Sequence, residues 1–277
     1  MPIMGFPIGY QGAFPIDVEV PGAPSDFDPD AMAWFEAVEA EGANFGPTPE
    51  IAAANKTAWS NWVIAQKNAE SPITGRSNWQ QLTQENQGFI QPMMGLNTFN
   101  VPPLFGGRTF TGFVAGDYDP ALGLKGGAER VLLANRNWNG TPLNDVAAGV
   151  WVTEPGVSSN NRIIGGTSVF FLTDSRVRNR NSSFPGSGES YDVGAYPRSA
   201  FTSRNSSANY STHNGSLIVH ELGSSAFNDD QVAFFGTPAN TLNADVRGGL
   251  AFYGRSINLE AMNTACIALS EAITWPT

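Results

Sequence analysis

The chain has 277 residues, enough to bury a sizeable core in one or two domains. Only 14% of them are charged and 41% are hydrophobic, with 30 glycines, which excludes a wholly disordered chain and disfavours a mostly helical one. The net charge of −10 is uneven: residues 1–105 hold 11 acids and 3 bases, residues 106–277 hold 14 acids and 12 bases, and so acidic a front half excludes nucleic acid as the main partner, since phosphate binding needs clustered Lys and Arg.

Residues 1–26 carry Pro2, Pro7, Pro15, Pro21 and Pro24 together with Phe6, Tyr10 and Phe14. Such a segment is no helix and is too apolar for a plain linker. It reads as an extended attachment arm, lying on another subunit or strapped over its own core. The start lacks a basic stretch followed by an unbroken apolar run, so synthesis in the cytoplasm is expected. No apolar run is long enough for a membrane helix, and no membrane insertion is expected.

A helix is predicted from Asp28 to Glu41, capped by Asp28 with Pro29 at the first helical position, and striped by Ala31, Trp34, Phe35 and Val38. Thr48-Pro49-Glu50 repeats the start signal for a second helix running to Glu70, and Ser77 starts a short third one containing Trp79 and Leu82. Trp34, Phe35, Trp59, Trp62 and Trp79 are more aromatic surface than three short helices can bury among themselves. That surface must meet the rest of the chain or equivalent helices around a symmetry axis. The second course predicts a homo-oligomer, a homotrimer in particular, with these five residues at its contacts.

Pro102-Pro103 and Gly106-Gly107 mark a boundary, dividing residues 27–105 from 106–277. Beyond it, strands are predicted over 108–114, 130–134, 147–153, 163–172, 175–180, 191–201, 217–222, 231–235 and 250–253, separated by Gly- and Asn-rich turns. Their inward residues should include Phe110, Leu132, Val150, Val152, Phe170, Val219, Phe234, Leu250 and Phe252. A last helix, capped by Ser256 or Asn258, presents Leu259, Met262, Cys266, Leu269 and Ile273 at spacings of three and four. The expected fold is therefore mainly β: an antiparallel sandwich with a short N-terminal helical region and a C-terminal helix.

Four stretches, taken in order, resemble tailed-bacteriophage virion proteins bearing a laminin-G-like, or concanavalin-like, jelly roll. They are the helical preface Phe27–Glu39, the segment Gly116–Gly126 followed by Leu132–Arg136, Asn144–Glu154, and the strand, Gly254-Arg255-Ser256 turn and helix that close the chain. The resemblance implies a fibre, neck or decoration subunit, located in the virion. Its N-terminal arm would engage other virion proteins, and its jelly roll would project outward, with host-surface carbohydrate as a ligand.

Candidate sites follow from residue type. Asn135, Arg136, Asn137, Trp138 and Asn139 combine an aromatic platform with amides, the composition of a sugar-binding loop. Asp117 and Asp119 are alternate carboxylates beside a turn and could serve calcium, or could simply cap that turn. Arg176, Arg178 and Arg180 share one face of a strand, a place for an anion or a solvated surface. His213 and His220 flank Asn214-Gly215 and could face each other in a hairpin, though two His make a weak metal site. A polysaccharide-degrading enzyme on the same sandwich is the rival reading. It lacks the Glu-x-Asp-x-Glu strand on which many glucanases of this fold place their paired carboxylates. Cys266, the one cysteine, falls on the apolar helix face as a small hydrophobe, and no catalytic residue is assigned.

Overall fold

The computed structural model describes residues 27–71, 74–140, 142, 144–156, 161–165, 169–172, 176–180, 189–192, 198–204, 206–213, 215–221, 230–239 and 243–276; the arm, 1–26, lies outside them. Three helices come first: α1 (Pro29–Ala40), α2 (Pro49–Asn68) and α3 (Asn78–Leu82). Strands follow as β1 (Phe89–Pro92), β2 (Arg108–Thr111), β3 (Tyr118–Asp119), β4 (Gly123–Lys125), β5 (Val131–Asn137), β6 (Val146–Glu154), β7 (Asn161–Arg162) and β8 (Ile164–Gly165). Then come β9 (Val169–Leu172), β10 (Arg176–Arg180), β11 (Glu189–Asp192), β12 (Arg198–Arg204), β13 (Asn209–His213), β14 (Leu217–Glu221), β15 (Gln231–Phe234) and β16 (Arg247–Gly254), and α4 (Leu259–Ala272) closes the series.

The helix starts obey local rules. Asp28 accepts from the Asp30 N–H and Thr48 from that of Ile51, each ahead of a proline at the first helical position. Ser77 and Gln80 form a reciprocal capping box on α3, and Asn258, of the two residues proposed, caps α4.

The strands make an antiparallel sandwich of the expected jelly-roll type. The large sheet runs β14-β13-β12-β6-β16-β4-β3, with β1 paired to the far half of β16. A four-stranded sheet, β2-β5-β15-β8, covers one of its faces, and β11-β10-β9-β7 form a further small sheet. From β6, Ala148, Val150 and Val152 join Leu132, Ile164 and Phe234 between the two large sheets. Ala147 and Trp151 point the other way, into a second core with Phe201, Leu250, Phe252 and the helices. The centre of the large sheet is thus dry on both faces, which is why 146–153 reads as a nearly unbroken apolar run.

The helical region has no core of its own. Trp34, Phe35, Trp59 and Trp62 are buried in the same cluster as Leu250, Phe252, Met262 and Cys266. At roughly 25 cal/mol per Å2, an aromatic side chain of about 150–250 Å2 contributes roughly 4–6 kcal/mol on burial before entropy is counted, so four of them bind the helices firmly to the sheet. The need for a trimer contact to cover them, inferred from helix length alone, disappears. The core runs across residue 106, and β1, on its N-terminal side, already pairs with β16.

Other expectations shift in detail. The predicted strand 163–172 is two strands, β8 and β9, in different sheets, and 191–201 divides into β11 and β12. β1, β3, β4, β7 and β13 were not predicted; β1 is four buried residues without alternation. Val219, expected inside, is 62% exposed on β14, the end strand of the large sheet among the described residues. The Phe170 side chain lies outside the described residues.

The register sets Gly149 between Phe201 on one neighbour and Phe252 on the other, whose rings meet at 5.1 Å. A Cβ at Gly149 would stand 2.5 Å from atoms of both rings. Gly149→Ala should cost about 1–3 kcal/mol of unfolding free energy in a denaturant titration, as overpacked cores do. Gly116→Ala, where a Cβ meets nothing within 4 Å, should stay within about 0.5 kcal/mol of the parent protein. Equal effects at the two positions would contradict this packing.

Candidate functional site

The proposed sugar platform is inside the protein. Along β5, Leu132 and Ala134 point inward and Arg136 is half-buried; Trp138, in the short turn after the strand, continues that alternation and is 1% exposed. Its Nε1 donates to the Gly165 carbonyl at 3.0 Å, and its ring meets Tyr253 edge-on at 5.1 Å. Tyr253 Oη donates back to the Trp138 carbonyl. Asn135, Asn137 and Asn139 remain exposed, while Arg136 Nη1 donates to the Asn135 carbonyl. With its aromatic member serving as a pin between the sheets, this loop offers no stacking surface. The period-two pattern, extended by one residue past the end of β5, was the signal that placed Trp138 inward.

The two aspartates are likewise engaged. Asp117 pairs with Arg130 at 2.7 Å and accepts from the Val114 N–H. Asp119 Oδ1 accepts from the N–H groups of Ala121 and Leu122, the local capping expected of a turn aspartate. Among the described residues no group of three or more His, Cys, Asp or Glu side chains is disposed to hold a metal. Both carboxylates thus serve turn and strand stabilisation, the other of the two readings their sequence allowed.

Ionic groups elsewhere join the segments that carried the sequence resemblance. Arg247 donates to Glu154 at 2.7 Å and to the carbonyls of Asp117 and Gly123. Asp145 Oδ1 accepts from the Ser256 N–H and Oγ–H, and Oδ2 lies 3.4 Å from Arg255 Nη1. The Gly-Arg-Ser turn is thereby fastened to the start of β6.

His213 and His220 do sit on paired strands, β13 and β14, but His213 is opposite Leu217 and His220 opposite Tyr210, three rungs apart. They do not converge. His213 instead finds Ser199: Oγ lies 2.6 Å from Nδ1. Separation along the chain hid this pair. It has the composition of a nucleophile and its base, yet Ser199 is 0% and His213 3% exposed. Burial lowers the His213 pKa, and the negative charge of Glu260 opposes that more weakly. Burial also pushes the Cys266 thiol up to about 12, with the Trp62 indole pulling slightly the other way, so Cys266 is an inert core residue. Arg176, Arg178 and Arg180 lie on β10 as predicted, with side chains outside the described residues.

Of the five aromatic residues expected at a subunit contact, Trp79 alone is only partly buried. It lines an open cleft of about 370 Å3 between α1, α3 and the segment 103–105. The α1 wall is Asp30, Ala33, Trp34 and Ala37; Phe105 lies among the residues opposite. Trp34 is fixed in that wall by its Nε1 bond to the Pro102 carbonyl. Lys67 stands over the Trp79 ring, with Nζ 5.6 Å from the centroid and 2.8 and 2.6 Å from Asp28 and Asp30. Burial disfavours its ammonium, but the two carboxylates outweigh that and leave its pKa above the usual lysine value. The cleft is thus of mixed character, with the Trp79 ring and the Asp30 carboxylate, paired with Lys67, both on its lining.

No protein-family model matches the chain, and no curated protein matches it. Among solved structures, Trypanosoma rangeli sialidase with 2,3-difluorosialic acid is similar at a TM-score of 0.46 and 10% identity, over 79% of this chain and 38% of that one. The binding domain of botulinum neurotoxin DC, in complex with rat synaptotagmin II, is similar at 0.45 and 12%, over 65% of this chain and 51% of that one. The chain therefore spans well under two thirds of either protein, and likeness at this level identifies neither an activity nor a ligand.

The His213 environment predicts a pH dependence. Its folded pKa is below the unfolded value of about 6.5, so the folded state takes up its proton later than the unfolded state. The stability it contributes is complete above about pH 6.5 and declines as pH falls from there toward the folded pKa. Urea midpoints measured at pH 7.5, 6.5 and 5.5 should drop at the lowest pH, and His213→Gln should flatten that drop. An unchanged slope in the variant would contradict the assignment.

Proposed function

We propose that the protein is a non-catalytic structural subunit of a tailed-phage virion, in which the β-sandwich serves assembly or display. The observation that supports this most is where the charged groups go. In the segments that resemble virion jelly rolls, Asp117, Asp145, Glu154, Arg247 and Arg255 join one segment to another, and their partners lie within the same fold. None of these five lines the open cleft beside Trp79, where a catalytic group would have to face. The nucleophile–base pair found among the described residues, Ser199 and His213, lies buried beneath the helix layer. In this reading residues 1–26 attach the subunit to other virion proteins. Self-association, as a trimer, would run through surfaces other than the buried tryptophans. Carbohydrate adhesion, if the particle uses it, cannot involve stacking on Trp138.

The reading is tested on particles. Antibody against this chain should decorate purified virions in electron micrographs, and the chain should copurify with them at a fixed stoichiometry. Purified protein incubated with host-surface polysaccharide should release no new reducing ends. Absence from particles, or cleavage abolished by substitution of a carboxylate, would overturn the proposal.

A further inference from the structure

We infer that the small sheet β11-β10-β9-β7 binds an acidic polysaccharide on one of its faces. The isolated protein would show this whether or not it belongs to a virion. The inference starts from the register of the backbone. Arg162 of β7 pairs with Phe171 of β9, Phe171 with Arg178 of β10, and Arg178 with Ser190 of β11. Residues paired across an antiparallel sheet share a face, so these four make one row. Arg176 and Arg180 lie two residues to either side of Arg178 along β10 and belong to the same face. Pattern along the sequence joined the three arginines of β10; the register adds Arg162.

Four arginines thus share one face of a four-stranded sheet in a chain whose net charge is −10. Among the strand residues of that face the acid is Asp192, opposite Arg176. The neighbouring row, on the other face, is Asn161, Leu172, Val177 and Tyr191, which suits packing against the fold. A face with four guanidinium groups and one carboxylate is too costly to bury. Spacing then points to the class of ligand. Along β10 the arginine positions recur at about 6.7 Å, and Arg162 stands two strands, roughly 10 Å, from Arg178. A small anion spans too little to meet more than one or two of them. A chain of sugars bearing recurrent acid groups spans the whole face, and arginine takes carboxylate or sulfate through paired N–H groups. Phe171, between Arg162 and Arg178, puts an aromatic position at the centre of the row. That suits a sugar ring, which has an apolar C–H face, better than a phosphate chain. The acidic front half of the molecule also repels a densely charged nucleic acid more than a sparsely charged glycan.

Titration of the full chain with polygalacturonate and with dextran sulfate, beside neutral dextran and single-stranded DNA, tests this. At least one of the two acidic polysaccharides should bind, neutral dextran should not, and quadrupling the salt should weaken binding on the order of tenfold, as counterion release from a polyanion requires. Arg178→Ala, at the centre of the row, should weaken it on the order of tenfold, and Arg162→Ala similarly. Arg178→Lys keeps the charge and loses the paired N–H geometry, so its loss should be smaller than that of Arg178→Ala. Arg76→Ala, at an exposed position in the helical region, is the control for net charge and should leave binding unchanged. Urea midpoints of all four variants, measured alongside, separate lost binding from lost folding. Failure of both acidic polysaccharides to bind would overturn the proposal. So would binding that the Arg162 and Arg178 variants leave intact, or an equal loss in Arg76→Ala. DNA bound as tightly as the glycans would show a general polyanion surface and overturn the assignment to polysaccharide.

Discussion

The pairing of β6 with β16 creates two strands that have no wet face, and the other elements are arranged around that condition. Side chains alternating along these strands go to the helices or to the β2-β5-β15-β8 sheet, and both layers must be present for either strand to be buried. Volume is then tightly set. Gly149 makes room for two phenylalanine rings, and Cβ atoms at Gly248 and Gly249 would press on Phe235 and on Met94. Phe235 itself sits at φ +65°, a conformation that costs a bulky residue energy and is held by its buried packing.

The seam between the helices and the rest is joined by amides more than by ions. Asn55 donates to the carbonyls of Phe45 and Thr274 and accepts from the Thr274 N–H. Asn78 donates to Gln66 and to the Asn258 carbonyl and accepts from the Asn258 N–H, while Gln81 donates to the Ser256 carbonyl. An amide is both donor and acceptor, so it can satisfy a chain end on either side without the desolvation cost of a buried charge. This accounts for a chain so poor in charge. It also makes α4, the last element in the sequence, depend on residues near its start.

Much of this was legible in advance where the cause is local. Asp28-Pro29, Thr48-Pro49 and Ser77 fixed helix starts because capping needs only the next three residues, and most β6 and β16 residues stood out as apolar runs. The destinations of the tryptophans were not legible. Trp59 donates to the Met94 carbonyl and packs with residues from beyond 250, and nothing near it in sequence announces those partners. Trp138 misled because an Asn-Trp-Asn-Gly string has loop composition, although its place in the alternation of β5 pointed inward. The Ser199–His213 pair arises from strand register, which pattern alone left open. Asp117 and Asp119 were compatible with a calcium site as well as with the favoured capped turn, and only the placement of Arg130 and the turn N–H groups gave their actual partners.

The central claim is that the helices, the large sheet and α4 form a single cooperative unit. Native-state hydrogen exchange tests it most directly, by comparing amides of Trp59–Val63 in α2, Val150–Val152 in β6 and Met262–Cys266 in α4. A single unit predicts one common opening free energy for all three sets, equal to that of global unfolding and falling in parallel with added denaturant. Exchange from α2 and α4 through a separate opening of much lower free energy, with β6 still protected, would contradict the account.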